Sequence, residues 1–504
     1  MAKICLSLTA KTIRQNLDVL EKYRKSIDLA ELRVDCLEPD ERLLIRRFPE
    51  LAGMPVILTI RRISDGGFFS GGESTRIKLM AQALAYAEVD TRLNFAYVDI
   101  EDDLDVPSLE EAARTFGTRI IRSYHNTAGL IPDIRGKIKS MQRTDDEIVK
   151  FAVTVNSTDD ALQLLRASKL FKTQEKIIIG MGHYGVFSRI LAEKFGSFLT
   201  YSRATSDDTI PAAPGQLDAG DLAEMYRFRQ ITKKTKIYGI IGHPLKATVS
   251  PWFFNTIFAR EGLDSVYVPF PGDSIQDLIE LVEELEVRGL SVTVPYKEEV
   301  IPFLTNCSEF VKSIGACNTM IQTKKGWIGE NTDAIGFTDS LLEFLARKDL
   351  RRQKVTIIGA GGVARAVAAE IFRLGGKALI LNRTIHKARN IASLYNFRWG
   401  GLDTEGIEVM KKFSNVIIQS TSAGMEGIGT TDPLELYTFT GKEAVMDLVY
   451  KPEVTPFMER AAIAGCRVIN GYNMVIRQAC QQYTCFFGKE IPAHLAPKIM
   501  FDRR

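Results

Sequence analysis

A lysine and a histidine stand in strand-like apolar runs of the first half of the chain, where a buried amine could do covalent chemistry. Lys150 interrupts the run IVKFAV (148–153), and His125 ends the run RIIRSYH (119–125). A neutral amine can condense with a ketone to an imine, and a histidine can then move the proton that the imine makes acidic. On the pattern of its own strand, a surface lysine is the commoner interpretation.

Neighbouring runs carry further charged side chains at comparable positions. In DLAELRVD (28–35), Glu31 and Arg33 share one face, and PVILTIR (55–61) ends at Arg61. Isolated ion pairs are the alternative, but several independent strands would deliver polar groups to one place. Cationic Arg33 and Arg61 would also help to keep Lys150 neutral. The residues alone therefore predict imine-based elimination or an aldol-type reaction.

The elements that must position these residues are strand-length apolar runs that alternate with helix-patterned segments. Eight such strand–helix units run through residues 1–230. They predict an α/β fold, a (β/α)8 TIM barrel, whose active site lies at the C-terminal ends of the strands. A doubly wound open sheet is the alternative. We place the domain boundary near 230–236.

A glycine-rich turn in the second half predicts a dinucleotide site. The turn follows the strand KVTII and opens a helix, so that a pyrophosphate could approach the helix N-terminus through Gly359, Ala360, Gly361, Gly362 and Val363. A helix-start turn in an unrelated sheet is the alternative. The next strand ends in Asn382, Arg383 and Thr384, with Lys387 nearby. An arginine in place of the acid suits the 2′-phosphate of NADP. The alternative is that Arg383 is an ordinary basic residue of the surface.

A second pair of candidate catalytic residues lies upstream of that turn. Lys297 ends VTVPYK (292–297), and Asp333 ends ENTD (330–333). Such a pair could pass a proton between a substrate hydroxyl and solvent, although a simple salt bridge is the commoner role. We predict an α/β substrate domain over 236–340, a Rossmann NADP-binding domain over 341–470, and C-terminal helices at 471–490 that return to the substrate domain.

Composition limits the classes of function. The 504 residues carry a net charge of +3, with 45% hydrophobic and 25% charged residues. This balance argues against nucleic acid or a membrane as a partner. Seven scattered cysteines indicate neither disulfides nor a metal site and favour a reducing, cytoplasmic location. The N-terminal residues show no signal peptide, and no apolar run approaches the ~20 residues that span a bilayer.

The first half resembles type I 3-dehydroquinate dehydratase. The resemblance rests on ordered motifs: ELRVD (31–35), TIR (59–61), DGG (65–67), SYHN (123–126), VKFAV (149–153), FSR (187–189) and APGQ (213–216). It implies a Schiff-base role for Lys150 and acid/base catalysis by His125. It also implies that substrate is bound by Glu31, Arg33, Arg61, Arg189 and Gln216. Two departures are Asp65, where the family has a longer glutamate that orients the histidine, and Ala212, where serine is frequent.

The second half resembles shikimate dehydrogenase over residues 236–486. The motifs include GHPLKATVSP (242–251), GLSVTVPYKEE (289–299), GENTD (329–333), TSAGM (421–425), DLVYKPEVTP (447–456) and GYNMVIRQA (471–479). The resemblance implies that Lys297 and Asp333 are catalytic. It implies substrate contacts from Thr248, Ser250, Thr293, Asn318, Tyr450 and Gln478, and cofactor contacts also from Thr421, Gly471 and Met474. Gln419 and Ser420 stand where asparagine and a small residue are usual.

Together the two resemblances imply fused, consecutive enzymes. The first half would dehydrate 3-dehydroquinate to 3-dehydroshikimate, and the second would reduce that product to shikimate with NADP(H). Three alternatives stay open: an NAD-dependent quinate dehydrogenase in the second half, an aldolase-type Schiff-base barrel in the first, or one half kept as a non-catalytic scaffold. The implied partners are small-molecule substrates only, and the sequence does not fix an oligomeric state.

Overall fold

The computed structural model describes residues 1–171, 175–206, 209–245, 248–426, 429 and 431–491. The chain forms two compact units. One comprises Met1–Ile237 with Phe258–Glu286, and the other comprises Tyr238–Ile257 with Val287–Arg504. Among the described residues, no helix combines the length and the apolar character needed to cross a bilayer. The seven cysteines are free thiols.

A ring of parallel strands forms the centre of the first unit. The strands are β1 (Lys3–Leu8), β2 (Leu29–Arg33), β3 (Val56–Thr59), β4 (Tyr97–Glu101), β5 (Arg119–Asn126), β6 (Ile148–Thr154), β7 (Lys176–Met181) and β8 (Leu199–Ser202). Their order is β7-β6-β5-β4-β3-β2-β1-β8. A parallel bridge between Lys176 and Ser197 nearly closes the ring. The predicted eight-stranded α/β barrel is confirmed.

Helices surround this barrel. They are α1 (Ile13–Tyr23), α2 (Phe48–Ala52), α3 (Glu73–Leu84), α4 (Pro107–Thr115), α5 (Ile134–Met141), α6 (Thr158–Ser168) and α7 (Val186–Ile190). Local sequence sets their starts. Thr12 and Gln15 form a capping box at α1, and the Ser157 side chain accepts from the Asp160 amide at α6. Both contacts satisfy amides that the first helical turn leaves unpaired.

The barrel interior changes from apolar to polar along the strands. Its lower layer is an apolar cluster that includes Cys5, Leu29, Ile57, Tyr97, Ile121 and Ile148. Two residues later on the same strands, with side chains on the same face, come Ser7, Glu31, Thr59, Asp99, Ser123 and Lys150. The strand period therefore places a buried polar layer above an apolar floor, towards the C-terminal ends.

The first unit also contains the segment 258–286. This segment holds β10 (Ser265–Pro271) and α9 (Ile275–Glu284), and it begins inside α8 (Ser250–Arg260). Helix α9 packs on α6, where the Arg166 Nε lies 2.6 Å from Glu284 Oε1. Phe270 lies against Phe187, with 5.9 Å between ring centroids. The boundary predicted near 230–236 stays a prediction.

The second unit holds a mixed sheet and a parallel sheet. The mixed sheet contains β9 (Lys236–Gly242), β11 (Gly289–Val292), β12 (Leu304–Cys307), β13 (Thr319–Thr323) and β14 (Gly326–Glu330). Within this unit the strand order is β9-β11-β13-β14-β12, with β13 antiparallel to both neighbours. Helices α10 (Glu309–Ile314) and α11 (Asp333–Leu345) follow β12 and β14, respectively.

The parallel sheet has the strand order of a dinucleotide-binding fold. Its strands are β15 (Lys354–Ile358), β16 (Lys377–Leu381), β17 (Arg398–Gly400), β18 (Val416–Gln419), β19 (Ala444–Asp447) and β20 (Arg467–Ile469). The order β17-β16-β15-β18-β19-β20 is the doubly wound 3-2-1-4-5-6 arrangement. The helices are α12 (Gly362–Arg373), α13 (Ile385–Leu394), α14 (Thr404–Met410), α15 (Pro456–Ile463) and α16 (Tyr472–Phe487). Helix α16 packs against α11 and β13. The predicted Rossmann fold is confirmed.

Candidate active sites

A cavity of about 280 Å³ opens at the C-terminal ends of the barrel strands. All seven barrel residues predicted from the sequence line it: Lys150, His125, Glu31, Arg33, Arg61, Arg189 and Gln216. Asp65, Tyr201 and Ala212 also line the cavity. Seven side chains from separate strands and loops therefore meet at one place, as the barrel architecture predicts.

Lys150 on β6 is buried and contacts an acid on β4. Its Nζ donates to Asp99 Oδ2 at 2.8 Å, and it lies 4.3 Å from the centroid of the Tyr201 ring. Burial opposes the charge of Asp99, but Arg61, Lys150 and His125 together outweigh it and hold the pKa of that carboxyl well below its usual range. Asp99 is therefore a fixed anion beneath the lysine.

The two arginines that could have kept Lys150 neutral have acids of their own. Arg61 pairs with Asp99 at 2.8 Å and with Glu101 at 2.7 Å, and Arg33 contacts Asp35 through two bonds of 3.0 and 2.7 Å. Each arginine therefore has a compensating acid, and Lys150 contacts Asp99. The expectation that Arg33 and Arg61 help to keep Lys150 neutral stays a prediction. The sequence pattern identifies the charges but not how they pair.

His125 carries one unsatisfied ring nitrogen. Its Nδ1 is buried and has no hydrogen-bond partner among the described residues. Burial lowers the pKa of His125 well below 6.5, and the positive charges of Arg61 and Lys150 lower it further. The ring is therefore neutral at neutral pH and can accept a proton.

Asp65 stands where the family has the carboxylate that orients this histidine. Its Oδ2 instead accepts from Arg62 Nε at 2.6 Å and from Ser64 Oγ at 3.3 Å. The shorter side chain is thus engaged by Arg62, which also binds Asp103. Asp65 forms no hydrogen bond to His125 Nδ1, which has no partner among the described residues.

Arg189 is a buried cation that no acid neutralises in the described part of the chain. Its Nη1 and Nη2 donate only to the carbonyls of Tyr201 and Pro214, at 3.4 and 3.2 Å, and its Nε has no partner there. Burial lowers the pKa of the guanidinium to about 10. Gln216 lies beside it and accepts from the amides of Ala212 and Ala213. This corner of the cavity is suited to a carboxylate.

Glu31 occupies the opposite wall of the polar layer. Its two carboxylate oxygens accept from Ser7 Oγ at 2.7 Å and from Thr59 Oγ1 at 2.9 Å. Both donors are neutral hydroxyl groups, and no cation of the described residues forms an ion pair with this carboxylate. A carboxylate held in this way can accept hydrogen bonds from ring hydroxyls.

In the second unit, Lys297 and Asp333 form a buried pair. Lys297 Nζ lies 2.6 Å from Asp333 Oδ2, and the two residues are 8% and 2% exposed. Asp333 is the first residue of α11, so the partial positive charge of the helix start also favours the carboxylate. The Lys297 stem lies against the glycine-rich turn, because a Cβ built on Gly362 would sit 3.0 Å from Lys297 Cβ.

An amide network fixes the loop before Asp333. The Asn318 side chain accepts from the Thr332 amide at 2.8 Å and donates to Thr332 Oγ1 at 3.0 Å and to Gln478 Oε1 at 3.3 Å. Asn318 and Gln478 are thereby linked to the residue that precedes Asp333. The other predicted substrate residues lie at the start of α8 (Thr248, Ser250) and after the ends of β11 (Thr293) and β19 (Tyr450). Their contact with substrate stays a prediction.

The glycine-rich turn fits a dinucleotide. Gly359 has a φ of +110°, which favours glycine, and a Cβ there would lie 2.8 Å from Ser420 Oγ. Gly361 caps α12 and has open space where its Cβ would be, so a pyrophosphate could approach the helix start.

Residues beyond the next strand match a 2′-phosphate. Arg383, Thr384 and Lys387 are exposed after β16, and Asn382 Nδ2 donates to the Thr384 carbonyl at 3.0 Å. Two cations at the strand end that lacks the ribose-binding acid fit NADP better than NAD. Of the other predicted cofactor residues, Thr421 follows β18, Gly471 caps α16, and Met474 is buried in the first turn of α16. Their contact with a cofactor stays a prediction.

Three residues of these sites were missed from the sequence. Asp99 lies in the predicted strand FAYVDI, two residues after Tyr97 on the inward face, and that alternation could have revealed it. Tyr201 lies in SFLTYS and could not be told from an ordinary core tyrosine. Asp447 lies at the end of β19, where it accepts from Gln419 Nε2, the Val449 amide and Thr455 Oγ1.

Comparison with known proteins gives three family-model matches. Residues 4–233 match Type I 3-dehydroquinase, 240–320 match the shikimate dehydrogenase substrate binding domain, and 343–448 match Shikimate / quinate 5-dehydrogenase.

Individual relatives extend these matches. The bifunctional 3-dehydroquinate dehydratase/shikimate dehydrogenase, chloroplastic, of Arabidopsis thaliana is 29% identical over 99% of this chain and 84% of the relative. The shikimate dehydrogenase (NADP(+)) of Pyrococcus furiosus is 34% identical over 53% of this chain and 96% of the relative. A crystal structure of shikimate dehydrogenase from Aquifex aeolicus is 31% identical, covers 54% of this chain and 99% of its own, and has a TM-score of 0.49. The chain therefore belongs to the shikimate dehydrogenase family through its second half and carries a type I 3-dehydroquinase domain in its first half.

Proposed function

We propose that the chain catalyses two consecutive reactions. The barrel dehydrates 3-dehydroquinate to 3-dehydroshikimate, and the second unit reduces 3-dehydroshikimate to shikimate with NADPH. The observation that carries this proposal is the pair of buried lysine–acid contacts, Lys150–Asp99 and Lys297–Asp333, each in the half whose family match needs a lysine.

In the barrel, Lys150 forms the imine. Its amine adds to the ketone and water is expelled, which gives an iminium that makes the neighbouring C–H acidic. His125, neutral at physiological pH, takes that proton and returns one to the departing hydroxyl, which leaves as water. A second water then hydrolyses the imine and frees Lys150. Arg189 and Gln216 are suited to the substrate carboxylate, whereas Glu31 and Arg61 are suited to the ring hydroxyls, with Arg33 beside them.

In the second unit, Lys297 and Asp333 handle the proton. NADPH, when bound, supplies a hydride to the substrate carbonyl carbon. The Lys297 ammonium, held by Asp333, donates the proton that the carbonyl oxygen needs as it becomes a hydroxyl. Thr248, Ser250, Thr293, Asn318, Tyr450 and Gln478 are proposed to orient the substrate. Gly359–Val363, Asn382–Thr384, Lys387, Thr421, Gly471 and Met474 are proposed to hold the cofactor.

A coupled assay tests this proposal directly. Dehydroquinate with NADPH should yield shikimate and consume NADPH, whereas Lys150→Met should stop that flux and leave the reduction of added 3-dehydroshikimate intact. Lys137→Met, which removes a lysine paired with Asp102 outside the cavity, is the matched control. Shikimate formation by Lys150→Met from dehydroquinate would disprove the assignment, and loss of both activities would indicate misfolding instead.

One alternative concerns the specificity of the second half. A quinate dehydrogenase that uses NAD would share this fold, but Arg383 and Lys387 favour the 2′-phosphate of NADP. Turnover of shikimate and quinate with each cofactor decides between them. Higher kcat/KM with quinate and NAD would exclude the present proposal for this half.

We also infer, from residue usage, a cytoplasmic location and no nucleic-acid partner. The net charge of +3 and the seven free cysteines support this inference. Cell fractionation with an antibody to the chain would test the location, and recovery of the chain in a membrane fraction would contradict it.

A further inference from the structure

Tyr201 lies inside the barrel, on the wall of the cavity that contains Lys150. It belongs to β8, the strand that the barrel places beside β1, and only 4% of its surface is exposed. The lower side of its ring contacts the apolar cluster of the barrel floor, and the residue also lines the cavity. The side chain thus lies between the apolar floor and the reacting groups.

The Tyr201 hydroxyl is unsatisfied in the described part of the structure. Its Oη is buried and has no hydrogen-bond partner there. Buried polar groups in folded proteins nearly always have a partner, so an unpaired one on a cavity wall marks a position that a ligand atom can satisfy. Burial also raises the pKa of Tyr201 well above 10, so the phenol keeps its proton and acts as a donor.

The Tyr201 ring faces the amine of Lys150. The Nζ lies 4.3 Å from the ring centroid, within the range of a cation–π contact, while Asp99 holds the same atom at 2.8 Å. Lys150 bears a positive charge once it has become the iminium. A ring face and a fixed anion beside the nitrogen stabilise that charge.

We propose that Tyr201 is a further catalytic residue of the barrel site. Its hydroxyl donates a hydrogen bond to an oxygen of the bound substrate, and its ring face stabilises the positive charge on Lys150 in the iminium. Tyr201 keeps its proton throughout, so it neither replaces His125 nor takes part in proton transfer. This inference rests on the proposed function, in which Lys150 forms the imine.

Two substitutions separate the contribution of the Tyr201 hydroxyl from that of its ring. Tyr201→Phe keeps the ring over Lys150 and removes only the donor, and we expect kcat/KM for dehydration to fall roughly ten-fold. Tyr201→Leu removes both, and we expect a fall on the order of 100-fold, mainly in kcat. Tyr97→Phe is the matched control, because Tyr97 lies in the same apolar cluster but not on the cavity wall. It should stay within about two-fold of the unmodified chain.

Borohydride trapping gives a readout that packing alone would not change. With dehydroquinate, peptide mapping should place the reduced adduct on Lys150 in the unmodified chain and in Tyr201→Phe, and at a lower yield in Tyr201→Leu. Reduction of 3-dehydroshikimate by each variant confirms that the chain is folded. If Tyr201→Leu fails that check, Tyr201→Phe decides alone.

The outcomes are distinguishable. If the unmodified chain is active and trapped at Lys150, an unchanged kcat/KM in Tyr201→Phe overturns the role of the Tyr201 hydroxyl only. An unchanged kcat in a folded Tyr201→Leu variant overturns the role of its ring as well. An unmodified chain that dehydrates without any adduct at Lys150 overturns the proposed mechanism, and the inference on Tyr201 with it.

Discussion

Asp99 accepts a 2.8 Å hydrogen bond from Lys150 and a 2.8 Å contact from Arg61, one on each carboxylate oxygen. Ser123 Oγ adds a third donor at 2.5 Å. A single acid therefore fixes both the amine that we propose forms the imine and the arginine beside it. The positions of Lys150 and Arg61 depend on the same carboxylate.

Asp99→Asn should lower kcat for dehydration roughly 100-fold, because a misplaced reacting group loses about that factor. Removing one partner of a buried ion pair should also destabilise the chain by about 3–5 kcal/mol. Steady-state dehydration and urea unfolding measure the two effects. Glu101→Gln is the control, since Glu101 binds Arg61 and Arg76 but not Lys150. Equal losses of kcat in both variants would show that the effect does not depend on the contact between Asp99 and Lys150.

The pH dependence of dehydration should report the lowered pKa of His125. Since burial and two cations keep the folded pKa below 6.5, the base stays neutral as pH falls through 6.5. The unfolded chain binds a proton there and the folded chain does not, so this group's contribution to stability is lost as pH falls from 6.5 towards the folded pKa. Profiles of kcat/KM against pH, with NMR titration of the ring assigned through His125→Asn, measure the value. A His125 midpoint at or above 6.5 would contradict the burial argument.

Asp65→Glu should raise kcat for dehydration by up to about ten-fold, because the longer carboxylate can reach the unpaired Nδ1 of His125 and orient the ring. Asp103→Glu is the control, since Asp103 binds the same Arg62 from an exposed position. Steady-state dehydration at pH 7 compares the variants. An unchanged or lower kcat in Asp65→Glu would mean that the engagement of residue 65 by Arg62, and not its length, sets the geometry.

Arg383→Ala should raise KM for NADPH roughly 10- to 100-fold, the cost of one lost charge-assisted hydrogen bond. KM for NADH should stay unchanged, because NADH has no 2′-phosphate. Arg389→Ala, an exposed arginine of α13 that contacts Trp399, is the control. A parallel loss with both cofactors would place Arg383 elsewhere than at the 2′-phosphate.

Asp447 should make the unfolding free energy fall as pH rises. Burial, with a smaller contribution from the charge of Asp432, raises the pKa of Asp447 to about 7 against the lowering effect of the donors Thr455 and Val449. The folded chain therefore holds a proton that the unfolded chain has lost, so stability decreases by about 1.4 kcal/mol per pH unit between the two pKa values and levels off above pH 7.

The variant Asp447→Asn isolates this effect. The difference in unfolding free energy between the unmodified chain and Asp447→Asn should shift in favour of the variant from pH 5 to pH 7. Urea unfolding at both pH values measures the shift, and Asp432→Asn, which removes the neighbouring charge, should shift it less. A difference that does not change with pH would show that Asp447 keeps an ordinary pKa.

Alternation along the strands predicted the barrel and which side chains face its interior, because a period of two is a local property of the chain. It predicted Glu31, Arg33, Arg61, His125 and Lys150 in one cavity, and the structure places them there. Pairing is not a local property. Asp99 contacts Lys150 and Arg61 because of the register in which separate strands pair. No single run of residues encodes that register.

The second half was predicted from motif order more than from periodicity. The turn at Gly359 and the strand end at Arg383 follow from local signals, and the Rossmann strand order agrees with them. Gln419 looked like a small departure beside the cofactor. In the fold, its longer side chain reaches Asp447 on the neighbouring strand and binds the carbonyl of Ala423. Only the paired register of β18 and β19 reveals that contact.

Gly362 is the first residue of α12 and also lies close to Lys297. A Cβ at residue 362 would lie 3.0 Å from Lys297 Cβ and 3.2 Å from Lys297 Cδ. Redesign of cofactor preference should therefore leave the turn untouched and work at Arg383 and Lys387. Arg383 and Lys387 lie after the next strand. Substitutions there can therefore change the preference between NADP and NAD without altering the contact between residue 362 and Lys297.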